Sequence, residues 1–360
     1  MKSSRRKSTP GASSAPTGSS MPLLRRFPAL RSLPRAELGR FPTPVERIVV
    51  EPGVELWVKR DDLAGSELGG NKLRTLEFLL GGVRPGDIVL TAGGVGSTHV
   101  FATAHHARAL GARAEAVRWR HDMNPAAHEV AERAGDLCER VQDSGGPVRG
   151  LARALLARAR SRAHWVPLGG SSPLGILGHV NAALELVEQV ERGELPLPTT
   201  VVVPLGTGGT AAGLALGFSL AGLPVTVVGA RVVPRIAGNR WRVLRLADAT
   251  ARLLERLTGE RVRRVDLSRV HVVHDAYGGA YGRALARAEE GGALAGRTLD
   301  VELDDTYSAK AFAAALSIVR QSAARHDRGT TLFWLTFDAR WMETRRFTGP
   351  RAARVTGDRA

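Results

Sequence analysis

Cysteine occurs once, at Cys138, so no disulfide can close within the chain. One thiol is also too few for a zinc–thiolate or iron–sulfur cage, and it fits a reducing, cytoplasmic setting. Aromatics make up 5% of the residues, and tyrosine stands only at 277, 281 and 307. No apolar run reaches the roughly 18 residues that a membrane span needs. Lysine is scarce: it stands only at 2, 7, 59, 72 and 310, in a chain with 51 Lys+Arg. Arginine does not deprotonate in proteins. An amine nucleophile in the folded body must therefore be Lys59, Lys72 or Lys310. The histidines show no metal-ligand spacing, and His105-His106 read as helix-surface residues.

What is present points to a folded α/β protein. The 360 residues are 43% hydrophobic, which suits one large or two medium domains. The net charge of +16 sits mostly at the ends. Residues 1–40 hold nine Lys/Arg against one acid, and residues 340–360 six Arg against two acids. Basic ends of this kind read as solvated tails rather than as a face for specific nucleic-acid binding. Residues 1–21 read as a disordered tail, because the Arg5-Arg6-Lys7 cluster is not followed by a signal peptide's apolar core. Met21 is a second candidate for the start of translation.

The stretch Glu67-Leu68-Gly69-Gly70-Asn71-Lys72-Leu73-Arg74 organises the rest. Two glycines precede Lys72, a helix-like run follows, and Lys72 falls in that helix's first turn. Strands are expected at 56–60, 87–91, 114–118, 199–203 and 225–230. Helices are expected near 125–134, 149–162, 175–192 and 211–220. Strand, glycine loop, helix and strand across 199–230 make a parallel βαβ crossover. The architecture expected is α/β, with parallel sheets and helices on both faces.

Glycine-bearing loops at 93–99, 169–175 and 206–213 each join a strand to a helix. Such places offer free N–H groups and a positive dipole end to an anion. Tight turns explain any one of them; three favour a phosphate ligand, with Thr207 and Thr210 as extra donors. Gly206 to Ala211 also fits the dinucleotide pattern G-x-G-x-x-A, but the next strand ends in Arg231 and not in the acid that would hold a ribose. Lys59 precedes two acids and reads as ion-paired; Lys310 opens a helix. Ser97, Thr98 and His99 suit acid–base work or helix capping, and Ser97 lacks the G-x-S-x-G elbow.

Taken together and in order, these motifs resemble the D-cysteine desulfhydrase and 1-aminocyclopropane-1-carboxylate deaminase group of pyridoxal-phosphate enzymes, which have the tryptophan-synthase-β-like fold. The resemblance spans about 22–340 and rests on Val58–Leu63 with Gly69–Lys72, Gly94–Thr103, Gly169–Gly175, Gly206–Thr210, Gly279–Gly282 and Leu303–Ala311. It implies a two-domain fold, with a large domain of 22–72 plus 175–340, an inserted small domain of 73–174, and a basic tail at 341–360. It implies pyridoxal 5'-phosphate held covalently by Lys72, which later moves the substrate's α-proton. Asn71 and Thr98 would lie near the phenolic oxygen, and Gly206, Thr207, Gly208, Gly209 and Thr210 would hold the phosphate. Thr336 would meet the pyridine nitrogen. Ser97, Thr98 and His99 would bind the substrate carboxylate, with Tyr281 and Tyr307 beside the reacting centre. The activity implied is β-elimination from a small amino acid such as D-cysteine, by a homodimer. Ring opening of the cyclopropane amino acid, a dinucleotide-dependent oxidoreductase and a non-catalytic cofactor-binding protein are the alternatives. Ser308 and Thr336 are closer to the desulfhydrase pattern than to the deaminase's Glu and Leu. The chain departs from the family at Thr98 (Asn), Phe101 (Arg), Ala309 (Gly) and Phe337-Asp338 (two glycines).

Overall fold

Apolar runs that change period from 2 to 3.6 build two sheets with helices packed on both faces. The computed structural model describes residues 21–65, 68–120, 125–277 and 285–342. In chain order it contains α1 (Pro22–Arg26), β1 (Val45–Glu51), β2 (Val54–Arg60), α2 (Lys72–Leu79), β3 (Ile88–Gly94), α3 (Thr98–Ala109) and β4 (Arg113–Trp119). Then come α4 (Pro125–Leu137), β5 (Arg140–Ser144), α5 (Pro147–Arg160), β6 (His164–Val166), α6 (Pro173–Glu191), β7 (Pro198–Leu205) and α7 (Gly209–Leu220). The chain continues through β8 (Thr226–Arg231), α8 (Arg240–Thr258), β9 (Val270–Val273), α9 (Ala286–Leu299), α10 (Ser308–Ala324) and β10 (Thr330–Leu335).

The larger sheet has the order β1-β2-β10-β7-β8-β9, parallel except for the β1–β2 hairpin. The smaller sheet has the order β5-β4-β3-β6 and is wholly parallel. Its strands lie between residues 88 and 166, and those of the larger sheet come from either side of that span.

Burial on both faces explains the unbroken Val201-Val202-Val203 run of β7. Val201 and Val203 pack with Ile176, Leu214 and Val243 of α6, α7 and α8, and Val202 packs with Phe312 of α10 on the other face. The smaller sheet is covered by α3 and α4 on one side (Val89, Val100, Val130) and by α5 on the other (Leu90, Val117, Ala154). Helix α2 bridges the two cores, with Leu76 and Leu79 in one and Phe78 in the other. It crosses α6 so closely that a Cβ on Gly178 would lie 1.8 Å from the Arg74 carbonyl oxygen.

Most expected elements form with ends moved by one to three residues; α7 begins at Gly209, inside the glycine loop. β1, β5, α8 and β9 carry no clear signal of their own. One expectation fails: His105 and His106 are buried, each 7% exposed, because α3 is enclosed by the smaller sheet, α2 and α4. Among the described residues no helix is long and apolar enough to cross a membrane.

Candidate active site

After β2 the chain turns back through Gly69 and Gly70 to start α2. A Cβ at Gly69 would lie 1.9 Å from the Asp62 carbonyl oxygen, and one at Gly70 2.8 Å from that of Thr336. Gly70 also has φ +120°, which glycine adopts without strain. Its N–H donates to Asp61 O (3.0 Å), and Asn71 N–H donates to Thr336 O (2.9 Å). The glycines therefore serve close backbone packing: they seat the start of α2 against the ends of β2 and β10.

A buried ion network fixes α2 from behind. Arg74 pairs with Asp61 (2.7 Å) and with Glu185 of α6 (2.9 Å). Trp334 Nε1 donates to Asp61 (2.7 Å). Lys59 pairs with Glu185 (2.6 Å) and donates to Thr43 O; of the acids that follow it in sequence, Asp61 is taken by Arg74 and Asp62 by Arg60. Lys310 is buried, with Nζ 3.5 Å from Tyr277 O. Lys72 differs from both: among the described residues its half-buried amine makes no hydrogen bond or ion pair. Desolvation lowers it from its ordinary 10.5 to about 8.

Lys72 opens on a cavity of about 460 Å³. The first turns of α3 and α7 both reach this space, through Ser97, Thr98 and His99 and through Gly208, Gly209 and Thr210. Each presents unpaired backbone N–H groups. Ser97 is the N-cap of α3, yet its side chain makes no capping bond, which leaves the hydroxyl for the cavity. Gly208 takes the left-handed conformation at φ +90° to start α7. Thr207 Oγ1 lies 2.6 Å from Ser171 Oγ, and Asn71 Nδ2 donates to Thr210 Oγ1 (3.0 Å).

His99 Nε2 lies 3.2 Å from Thr91 Oγ1, which itself donates to Val166 O (2.9 Å). The ring is held from below by Thr91 and by the Pro167 backbone. Burial, helped by the Lys72 charge, pushes this ring down to about 3. His99 is therefore neutral and cannot supply a cation to a carboxylate. Tyr307 lies beside the glycine loop, where a Cβ on Gly206 would be 3.5 Å from its ring. The carboxylate of Asp304, also in the lining, accepts the Tyr307 and Ser308 N–H groups (2.7 and 3.0 Å). Thr336 and Phe337 complete this wall. Tyr281 falls outside the described residues. Arg231 turns away to His274 Nδ1 (2.9 Å) and Val233 O (2.6 Å), so it does not wait for a nucleotide phosphate. Ser171 comes from the 169–175 glycine loop, whereas His179 carries no motif that singles it out; only the packing of α6 on α7 places it here.

A lone neutralisable amine and two helix N-termini around one cavity define an α/β enzyme built for an anionic carbonyl cofactor. The chain belongs to the family of pyridoxal-phosphate dependent enzymes, which it matches over residues 36–336. It is 33% identical over 315 residues to a D-cysteine desulfhydrase of Salmonella paratyphi A, covering 83% of this chain and 92% of the relative. It is 37% identical over 327 residues to the nocardicin C-9' epimerase of Nocardia uniformis subsp. tsuyamanensis, covering 86% and 94%. The solved structure of an ACC deaminase homologue superposes with a TM-score of 0.70 at 28% identity, covering 88% and 94%. The fold is thus the tryptophan-synthase-β-like one, the protein is a pyridoxal-phosphate enzyme of the D-cysteine desulfhydrase and ACC deaminase group, and its cofactor is pyridoxal 5'-phosphate.

The residues present fit that cofactor. Among the described residues the amine at Lys72 has no competing partner. The only carboxylate in the described lining, Asp304, has its oxygens on backbone N–H groups, so the phosphate would meet no free acid. The loop at 206–210 is held open by glycines, and a Cβ at Gly209 would run to 2.6 Å from Ser171 Oγ.

Proposed function

We propose that the chain catalyses β-elimination from a small D-amino acid, D-cysteine in the first instance, giving pyruvate, ammonia and sulfide with the uptake of one water. The observation that carries this reading is the unpartnered Lys72 amine in a cavity flanked by two helix N-termini. When bound, pyridoxal 5'-phosphate supplies a carbonyl that bonds to amines and a ring that draws electrons from the α-carbon. At about 8, Lys72 is neutral often enough near neutral pH to take the α-proton. Lys59 and Lys310 are tied to Glu185 and to Tyr277 O and cannot. The N–H groups at the start of α3, with the Ser97 and Thr98 hydroxyls, bind the substrate carboxylate, and His99 shapes that loop through Thr91. Residues 206–210 hold the phosphate. Asn71 and Thr98 serve the phenolic oxygen and Thr336 the pyridine nitrogen. Tyr307, and Tyr281 by resemblance, flank the reacting carbon. The 33% identity to a D-cysteine desulfhydrase supports this substrate.

The 37% identity to an epimerase favours a second reading, in which the α-proton returns to the opposite face. Both start with proton removal, so one experiment separates them. The holoenzyme is incubated with D-cysteine in D₂O, with Lys72→Ala as the control. Pyruvate and sulfide in equal amounts support elimination. L-cysteine carrying α-deuterium, without pyruvate, supports epimerisation. Retention of both the α-proton and the configuration of D-cysteine overturns the desulfhydrase reading, and 1-aminocyclopropane-1-carboxylate run in parallel tests the deaminase alternative.

A further inference from the structure

His179 lies on α6, 2% exposed, directly under the start of α7. Its Nε2 is 3.3 Å from Thr210 Oγ1. Its Nδ1 is buried and has no partner. A neutral imidazole carries one proton, on either nitrogen. A proton on Nδ1 would leave a buried N–H unpaired, which is rarer and costlier than an unfilled lone pair. The proton therefore sits on Nε2, and His179 donates to Thr210. Asn71 Nδ2 donates to the same oxygen from 3.0 Å. A threonine hydroxyl has two lone pairs and one proton. With both lone pairs filled from below, its proton has one use left, as a donor into the cavity that Thr210 lines.

We propose that His179 is a positioning residue that, together with Asn71, turns the Thr210 hydroxyl proton toward the cofactor's phosphate. The proposal rests on the reading of residues 206–210 as the phosphate site. Burial and the nearby Lys72 and Arg74 charges keep the ring neutral, as the single-donor arrangement requires. The phosphate gains a donor beyond the backbone of the loop, oriented without any side chain of opposite charge.

The test measures equilibrium binding of pyridoxal 5'-phosphate and of pyridoxal to the cofactor-free protein by fluorescence titration. The proteins are wild type, His179→Leu, His179→Gln, Thr210→Val and the double variant His179→Leu/Thr210→Val. The expected result is a roughly tenfold loss of pyridoxal-phosphate affinity in His179→Leu, the scale of one hydrogen bond to a charged group. Pyridoxal, which lacks the phosphate, should bind unchanged. Glutamine keeps a donor near Nε2 and should restore affinity to within about threefold. In the Thr210→Val background the histidine change should add nothing, because its target is gone. The phosphorus-31 resonance of the bound cofactor should move in His179→Leu and return in His179→Gln. Equal losses for both ligands, or a histidine effect that persists without the Thr210 hydroxyl, would overturn the proposal. Wild type that binds pyridoxal as tightly as pyridoxal 5'-phosphate would instead overturn the phosphate-site reading itself.

Discussion

A desolvated lysine is a poor choice for stability, and Lys72 shows the size of the cost. In the fold its amine titrates near 8, against 10.5 in the unfolded chain. The unfolded state therefore holds more protons between these values, and the stability of the cofactor-free protein rises with pH across that window. Below pH 8 the buried charge costs on the order of 2 kcal/mol after allowance for partial exposure. Lys72→Met without cofactor should be more stable than wild type by about that much at pH 7, with the gap closing toward pH 10.5; urea unfolding at both ends checks it. The same variant should lose pyruvate formation by at least about a hundredfold, since a positioned general base contributes 10²–10⁴. Lys72 was legible as a candidate because so few lysines exist and two glycines precede it. The glycines proved to answer to Asp62 and Thr336 backbone, atoms that only folding brings near.

At the scale of elements, α2 sets the position of Lys72, and the buried ions behind it set α2. Arg74, Asp61, Lys59 and Glu185 come from α2, the turn after β2, β2 itself and α6. Removing one member leaves the rest uncompensated, so Glu185→Leu should destabilise the protein by about 3–5 kcal/mol. Activity in the fraction that stays folded should also fall, because α2 loses its anchor to α6; thermal melts read against specific activity separate the two losses. Gly178→Ala tests the helix crossing itself. Its methyl would meet the Arg74 carbonyl, so α2 and α6 must part, with a stability loss of about 1–3 kcal/mol or more. Neither partnership could be read along the chain. Lys59 has two acids close by in sequence, but Arg74 and Arg60 take them, and its partner lies 126 positions away.

For the molecule as a whole, three buried neutral histidines set an acid limit. Burial holds His99 and His106 at about 3 and His179 well below 6.5. In the unfolded chain each takes a proton near 6.5, so the stability they allow is complete above that pH and is lost as pH falls below it. His106 is the one to change: it lies outside the cavity lining, and its Nε2 is buried without a partner. His106→Leu should raise the melting temperature at pH 7, since no polar atom is then left unpaired. Its advantage over wild type should widen from pH 6.5 to pH 4, which melts in a pH series would follow. His105 and His106 read as helix-surface residues, but α3 is covered by the smaller sheet, α2 and α4. A helix's period shows that its faces differ; it does not say how many of them will be covered.

The sequence alone decided the fold class, through period-two and period-3.6 apolar runs with glycines at strand–helix junctions, and narrowed the amine to three lysines with Lys72 foremost. The cofactor followed from the ordered motifs that resemble the family, which the match over residues 36–336 bears out. The tertiary structure alone decided what surrounds that amine. Seating Lys72 beside His99 and His179, leaving it without a partner among the described residues, and aiming two helix N-termini into one space all depend on residues far apart in the chain. Desolvation and hydrogen-bond satisfaction act on those three-dimensional neighbours, and no spacing along the sequence encodes them.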